Sequence, residues 1–199
     1  MRNDVWRHVM STMRAHGGYV RSKELRAAGV HPSVLPAMAR QGQLVRLKRG
    51  LYVLPEARAR DEKLEAMLAI PGSVLCLGSA LSFHDLGTWE PPEVHLAVKY
   101  GRKVRLPDFP PIRLYHFSEH WFSLGLQNRR RSGGTLRVYD VERTICDLFR
   151  FRRGLGMDIA AGALREYVRR RSKDIPRLLD YSRKLRVSGP LRRALEILI

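Results

Sequence analysis

The chain has 199 residues, of which 44% are hydrophobic, so it can bury a core in one or two domains and is not intrinsically disordered. Its 37 Lys and Arg residues against 19 Asp and Glu residues give a formal net charge of +18. This balance favours a polyanion as the partner, because each neutralised phosphate releases condensed counterions. No window approaches the roughly twenty apolar residues of a membrane span, and the N-terminus lacks the apolar centre of a secretion signal. We therefore expect a soluble, cytoplasmic protein that does not interact with a membrane.

The positive charge is concentrated at both ends of the chain. Residues 1–60 carry a net charge of +9 and residues 61–97 a net charge of −5. Residues 98–140 and 141–199 are again basic, with net charges of +6 and +8. The acidic stretch is therefore not expected to lie against a polyanion.

The first predicted helix runs roughly from Asp4 to Ala15. One side of it is apolar at intervals of three and four residues, which is typical of a helix that packs on a core. The side chains of this stripe are Val5, Trp6, Val9, Met10 and Met13. Gly17 and Gly18 end the helix.

Two short helices follow, separated by a turn. Ser22 is predicted to cap the first, which buries Leu25 and Ala28 and ends at Gly29.

Ser33 is predicted to cap the second helix, because Pro36 then falls at the third helical position, where no backbone hydrogen bond is lost. This helix ends at Gly42, and three of its apolar side chains are expected to pack inward. They are Val34, Leu35 and Met38.

A basic hairpin comes next. The turn Lys48-Arg49-Gly50, in which glycine permits an unusual backbone dihedral, is flanked by apolar residues. They are Leu44, Val45 and Leu47 before it and residues 51–54 after it. Two short helices followed by a basic hairpin are the outline of a winged helix-turn-helix, so residues 1–56 are predicted to bind DNA. The alternative is that the two helices and the hairpin only pack a small core.

The winged helix assigns a role to each predicted DNA-binding residue. The second helix of the pair directs four side chains at base edges: Ser33, Ala37, Arg40 and Gln41. The hairpin residues Lys48 and Arg49, with Arg46 beside them, hold phosphate or the minor groove. Arg21 and Lys23 position the preceding helix on the DNA backbone. A single winged helix reads a short site, so double-stranded operator DNA with repeated sites is expected.

Residues 57–70 are predicted to form a linking helix. Its apolar side carries Leu64, Met67 and Leu68, and its acidic side carries Asp61, Glu62 and Glu65. Residues 71–199 then form a mixed α+β domain that ends in helices. The fold class is therefore α+β, an N-terminal winged helix-turn-helix followed by an α+β domain.

The second domain alternates between strand and helix patterns. Strands are predicted at residues 74–77, 94–98, 112–117 and 136–139. Helices are predicted at residues 79–86, 141–149, 159–171, 174–185 and 191–199. The segment from Arg129 to Gly134 is interpreted as a mobile basic loop.

One cluster of carboxylates suggests a different class of protein. Asp140, Glu142 and Asp147 could hold a divalent metal, which would make the chain a metal-dependent nucleic-acid-processing enzyme. The spacing of Glu142, Arg143 and Asp147 favours instead a helix start with salt bridges. We therefore expect no enzymatic activity.

The cysteines and histidines do not indicate a metal site. Cys76 and Cys146 lie in apolar runs and are predicted to be buried and unpaired. His84, His95, His116 and His120 do not form a set at ligand spacing, and there is no glycine-rich phosphate loop. No metal and no cofactor are therefore expected.

Three segments resemble the AbiEi family of antitoxins from type IV toxin–antitoxin systems. They are residues 42–52 (GQLVRLKRGLY), 77–81 (LGSAL) and 138–148 (VYDVERTICDL). The resemblance implies a bacterial antitoxin whose winged helix represses its own operon. It also implies a C-terminal domain that counters a nucleotidyltransferase toxin without forming a stable complex with it.

The C-terminal helices carry a second group of cations. It consists of Arg169, Arg170, Arg171, Arg183, Lys184 and Arg186. These side chains form either a solvated face or a second polyanion surface. If the toxin modifies tRNA, such a surface could bind the same RNA.

Overall fold

The computed structural model describes residues 2–58, 61–131 and 134–198. The chain divides into two compact units. The first consists of Met1–Pro71, Val104–Pro111 and Arg129–Leu136, and the second of Gly72–Lys103, Ile112–Asn128 and Arg137–Ile199. The acidic helix that was predicted as a link is thus part of the first unit, together with two segments from much later in the sequence.

The first unit contains four helices and a three-stranded antiparallel sheet among its described residues. In chain order its elements are α1 (Arg2–Ala15), β1 (Tyr19–Arg21), α2 (Ser22–Ala27), α3 (Val34–Arg40), β2 (Val45–Lys48), β3 (Leu51–Val53), a 3₁₀ turn (Pro55–Ala57) and α4 (Glu62–Ala69). The strand order is β1-β3-β2. Strand β1 was not predicted.

The helical stripe of α1 is only partly buried. Val9 and Met13 are fully buried, as predicted, but the Trp6 side chain is 43% exposed. Helix α1 ends where Gly17 and Gly18 adopt positive φ angles. At Gly18 a side chain would also collide with Ala57, so this position requires glycine.

The N-cap of helix α2 lies one residue before the predicted cap, Ser22. Ser22 is the first helical residue and Arg21 is the N-cap, whose backbone N–H donates to the Glu24 carboxylate at 2.9 Å. Leu25 is buried as predicted, but Ala28 is exposed, and Val30 is buried beyond the end of the helix.

Helix α3 follows its predicted bounds. Ser33 is its N-cap, although the hydroxyl forms no capping bond and lies 2.7 Å from His31 Nδ1 instead. Leu35 and Met38 are buried. The helix ends before Gly42, which has a φ of 72°.

The hairpin of β2 and β3 turns at Arg49 and Gly50. Lys48 pairs with Leu51 across the turn, and Gly50 has a φ of 79°. The register shifts between Arg46 and Lys48. Because of this irregularity, side-chain direction does not alternate simply along β2.

The remaining strands form one five-stranded mixed sheet with the order β6-β5-β4-β8-β7. They are β4 (Val74–Leu75), β5 (Val94–Lys99), β6 (Ile112–Phe117), β7 (Leu126–Arg131) and β8 (Gly134–Tyr139). Strand β4 pairs antiparallel with β5 and parallel with β8, and β5 pairs parallel with β6.

Seven helices accompany this sheet in the described part of the chain. They are α5 (Leu77–Phe83), α6 (Glu119–Phe122), α7 (Val141–Arg150), α8 (Arg152–Leu155), α9 (Met157–Arg169), α10 (Ile175–Lys184) and α11 (Ser188–Leu198). Both cysteines are buried and free, as predicted. No helix of the described residues is long and apolar enough to cross a membrane.

Several predictions for this region were wrong. Leu77 begins helix α5 rather than ending a strand, and that helix stops at Phe83. Arg129, Arg130 and Arg131 lie in strand β7 rather than in a loop; Ser132 and Gly133 lie outside the described residues.

Two C-terminal helices also have different bounds. The helix predicted at 159–171 is α9, which begins at Met157 and ends at Arg169, so Arg170 is its C-cap. The last helix begins at Ser188, three residues before its predicted start.

Candidate nucleic-acid interface

Helix α3 exposes the polar end that was predicted to read bases. Ser33, Arg40 and Gln41 are exposed, and Ala37 is half-buried because it lies beside the packed face of the helix. The Arg40 guanidinium pairs with no carboxylate among the residues that the structure describes. Its five N–H donors are therefore available to a ligand.

The hairpin exposes two further guanidinium groups. Arg46 on β2 and Arg49 at the turn are both exposed. Neither pairs with a carboxylate within the described ranges. Lys23, near the start of α2, is exposed as well. These cations can meet phosphate without first breaking an internal ion pair.

Two of the predicted phosphate-binding residues have internal partners instead. Arg21 Nη2 donates to the Leu68 carbonyl at 2.5 Å, and Lys48 Nζ donates to the Ala69 carbonyl at 3.2 Å. The last carbonyls of a helix lack partners within the helix and carry a partial negative charge. Arg21 and Lys48 therefore stabilise the C-terminal end of α4, a role that the sequence did not indicate.

The packing of α4 differs from its predicted acidic face. Glu65 is fully buried, and the Tyr19 hydroxyl lies 3.1 Å from its Oε1 atom. Asp61 caps α4 by accepting from the Leu64 N–H at 3.0 Å. Glu65 therefore contributes to the interior of the first unit and not to an acidic surface.

Each carboxylate of the alternative metal site is bound by internal partners. Asp140 is the N-cap of α7 and accepts from the Arg143 N–H at 2.8 Å and from the Tyr181 hydroxyl at 3.2 Å. Glu142 accepts from the Tyr167 hydroxyl at 2.8 Å. The described residues contain no group of three or more His, Cys, Asp or Glu side chains that could hold a metal ion.

Arg143 and Asp147 form a buried ion pair at the centre of the second unit. Both side chains are fully buried, and Arg143 Nε lies 2.8 Å from Asp147 Oδ2. Burial alone would lower the pKa of Arg143, but the charge of Asp147 and its hydrogen bond contribute to a net rise. The predicted salt bridge near the start of α7 is confirmed.

Arg143 also links α7 to the segment around α6. Its Nη1 atom donates to the carbonyls of Trp121 and Leu124 at 2.6 and 3.2 Å, and its guanidinium lies 4.5 Å from the Tyr139 ring centroid. Arg143 therefore joins α7 to the segment around α6, and Asp147 balances its charge.

Two buried groups in the second unit have shifted pKa values. Burial raises the pKa of Asp140 to about 6. Burial, with a smaller effect from Arg113, lowers the pKa of His95 to about 4. The neutral His95 accepts from the Gly78 N–H at its Nδ1 atom, at 3.3 Å, and so supports the first turn of α5. His95 is therefore a structural residue.

The C-terminal cations are not equivalent. Arg169 pairs with Glu166 at 3.1 Å, while Arg183 and Lys184 share Asp180 at 3.7 and 2.7 Å. These pairs lie on the surface and contribute little to stability.

Arg170 differs from its neighbours because it has a structural contact. Its Nη2 atom donates to the carbonyls of His84 and Asp85 at 2.6 and 2.7 Å. Arg171 and Arg186 are exposed. A polyanion surface in this region would therefore rely on the residues around Arg170 more than on Arg170 itself.

The geometry of the first unit is that of a candidate DNA-binding regulator, and comparison with known families supports this class. Residues 12–55 match the family described as transcriptional regulator, AbiEi antitoxin. The matched segment runs from within α1 to the end of the β2–β3 hairpin and the start of the 3₁₀ turn. The match confirms the resemblance and supports a general role in transcription regulation, with DNA as the partner that this role implies. No curated protein matches the chain.

Proposed function

We propose that this protein is a sequence-specific repressor of its own operon and that its first unit binds DNA as a winged helix. In this proposal α3 enters the major groove and the β2–β3 hairpin acts as the wing. The observation that carries the proposal is the exposure of Arg40 and Gln41 at the end of α3, directly before a hairpin with Arg49 at its turn, within the segment that matches the regulator family.

The proposed contacts divide into two kinds. Arg40 and Gln41, with Ser33 and Ala37, approach base edges from α3, because Arg suits the two acceptors of guanine and Gln suits adenine. Arg46, Arg49 and Lys23 hold phosphates and fix the orientation. Arg21 and Lys48 position the elements through α4, since their donors already bind its carbonyls.

The test compares two DNA duplexes by fluorescence anisotropy. The purified protein is titrated onto DNA from upstream of its own gene and onto a shuffled duplex of the same length, at about 150 mM salt. A preference of about 10³ or more for the upstream DNA is the result expected of a specific regulator. Equal, strongly salt-dependent binding to both duplexes would contradict the proposal.

We further propose that the second unit provides the antitoxin activity against a nucleotidyltransferase toxin, without a stable complex. This rests on the family name together with the exposed cations near the ends of α9 and α10. A basic surface can bind the RNA that such a toxin would modify, which keeps RNA as a candidate second partner.

The antitoxin proposal is tested with a double substitution that leaves the structural contact intact. Arg169→Ala with Arg171→Ala removes two exposed cations and keeps Arg170, which holds the carbonyls of residues 84 and 85. We expect the variant to bind upstream DNA normally and to lose toxin neutralisation in cells. The matched control is Arg192→Ala with Arg193→Ala on α11, where two exposed arginines are lost elsewhere. Full toxin neutralisation by both variants would refute the proposal that the surface around Arg169 and Arg171 provides the antitoxin activity.

A non-enzymatic role is part of the proposal. The support is that Asp140, Glu142 and Asp147 each bind an internal partner. Incubation of the protein with labelled DNA and RNA in the presence of Mg²⁺ or Mn²⁺ tests it. Cleavage that is lost on Asp140→Ala would replace the regulator proposal with a metal-dependent nuclease.

A further inference from the structure

A segment from the middle of the sequence belongs to the first unit. Residues Val104–Pro111, which we call the strap, belong to that unit, although about fifty residues separate them from the hairpin in the sequence. Lys48 Nζ donates to the Arg105 carbonyl at 2.6 Å. At the other end of the strap, the Arg58 guanidinium lies 5.5 Å from the ring centroid of Phe109, and Pro110 is buried.

Hydrogen bonds from the Lys48 ammonium link the hairpin to α4 and to the strap. Lys48 lies at the end of β2, next to the hairpin turn, and donates to the Ala69 carbonyl of α4 and to the Arg105 carbonyl of the strap. Hydrogen bonds from a charged donor are stronger than neutral ones. Lys48, which was predicted to bind phosphate, therefore links the hairpin to both α4 and the strap.

This contact joins the backbone of Arg105 in the strap to Lys48, the residue at the turn end of β2. The Arg105 backbone therefore lies at the ammonium end of the Lys48 side chain. Arg105 is exposed, and its guanidinium pairs with no carboxylate among the described residues. It resembles Arg49 in both respects, so the hairpin and the strap, which Lys48 joins, each present an exposed guanidinium group.

We propose that Arg105 contacts a DNA phosphate beside the hairpin and that Lys48 is the brace that holds it there. The inference rests on the proposed function and adds a residue to its DNA-binding surface. The contact concerns the sugar–phosphate backbone, so it contributes affinity for every sequence and no base preference.

The first experiment measures the salt dependence of binding for Arg105→Ala. We expect weaker binding to the upstream and shuffled duplexes alike, and a slope of log K against log salt that is shallower by about one unit, as for the loss of one phosphate contact. Arg105→Lys should retain the slope, because it keeps the charge. The matched control is Arg192→Ala, which removes an exposed arginine from α11 and should leave the slope unchanged.

A second experiment tests the brace. Lys48→Met keeps the aliphatic stem and removes the ammonium, so the Arg105 carbonyl loses its donor. We expect Arg105→Ala to change the slope much less in the Lys48→Met background than in the wild-type chain. Equal effects in both backgrounds would refute the brace and leave the phosphate contact to the first experiment.

The outcomes separate the inference from the function on which it rests. Wild-type protein that binds the upstream DNA specifically, with Arg105→Ala indistinguishable from Arg192→Ala, overturns the inference and leaves the repressor intact. Wild-type protein without preference for the upstream DNA overturns the proposed function. Arg105 is exposed, and circular dichroism checks that its variants fold as the wild type does.

Discussion

Arg40 is the residue on which the proposed base reading depends most. It lies in the last turn of α3 and is exposed. Its fork of donors can bind both acceptors of a guanine, which a lysine cannot do in the same geometry.

Arg40→Ala should therefore cost about 1–3 kcal/mol of binding free energy on the operator and relax the preference at one base pair. The measurement is the affinity for a panel of single-base operator variants. Arg40→Lys serves as the control, because it keeps the charge and should retain binding to shuffled DNA while losing the base preference. An equal loss on every sequence for Arg40→Ala would contradict base reading.

Arg143 is the residue on which the stability of the second unit is expected to depend most. Arg143→Met leaves the Asp147 carboxylate buried without its partner, so we expect a loss of about 3–5 kcal/mol in the free energy of unfolding. Urea denaturation measures it. The matched control is Arg183→Met on α10, whose ion pair with Asp180 is exposed and should contribute about 0–1 kcal/mol. Similar costs for both variants would show that the buried pair is unimportant.

Some residue contacts could be predicted from short-range sequence patterns, and others could not. The ion pair of Arg143 and Asp147 was predictable because the two residues are four apart on one helix. The partners of Arg21 and Lys48 were not, because they are carbonyl groups 47 and 21 residues away, and a carbonyl carries no sequence signature. Arg21 and Lys48 were therefore predicted to contact the DNA backbone, whereas in the fold they bind carbonyl groups at the C-terminal end of α4.

At the scale of single elements, α7 is sensitive to pH at its first turn. Its N-cap Asp140 has a pKa raised to about 6 by burial, against about 3.9 in an unfolded chain. The folded state thus holds the proton more tightly than the unfolded state does. The resulting stabilisation is complete below the unfolded pKa and is lost as the pH rises through about 6.

Asp140→Asn should remove this dependence while keeping a good N-cap. The difference in unfolding free energy between wild type and variant should move in favour of the variant by up to about 3 kcal/mol between pH 4 and pH 7. Urea denaturation of both proteins across this range measures it. Comparing the two proteins cancels the contribution of His95, whose lowered pKa acts in the opposite direction. Parallel stability curves would contradict the assignment.

The bounds of a helix or strand were predicted correctly where nearby residues mark its ends. The bounds of α3 followed from Ser33, Pro36 and Gly42, and β6 followed from the segment IRLYHF, which contains β-branched and aromatic residues and comes after a proline-rich loop. Strand β7 was missed because LQNRRR has no apolar face and is an edge strand, paired on one side. Strand β1 has only three residues, too few to show a period, and it exists because β3 pairs with it.

At the scale of the whole molecule, the order of the sequence does not follow the two units. The pattern of two short helices and a basic hairpin, together with the charge count, predicted a basic N-terminal module ending near residue 56. No local pattern shows that α4, the strap and the segment Arg129–Leu136 belong to the same unit. Gly134 illustrates the point, since a side chain there would lie 3.1 Å from Leu64 of α4. Contacts of this kind depend on the complete fold and could not be predicted from periodicity.

This organisation predicts that residues 1–71 alone are less stable than the same residues in the full chain. The fragment lacks the Arg105 carbonyl that binds Lys48, and it lacks the β8 residue Gly134, which lies beside Leu64. The loss of the charged hydrogen bond alone should cost about 1.5–3 kcal/mol. Far-UV circular dichroism during urea denaturation compares the fragment with the full chain, and anisotropy on the upstream DNA compares their affinities.

The control for this prediction is the full chain with Lys48→Met, which loses the same hydrogen bond while retaining both later segments. The fragment should be less stable than this variant, because it also lacks Gly134, which lies against Leu64 of α4. It should bind the upstream DNA more weakly as well, since the hairpin is no longer braced. A fragment that unfolds at the same urea concentration as the first transition of the full chain, and binds with full affinity, would show that the N-terminal 71 residues are an autonomous DNA-binding domain.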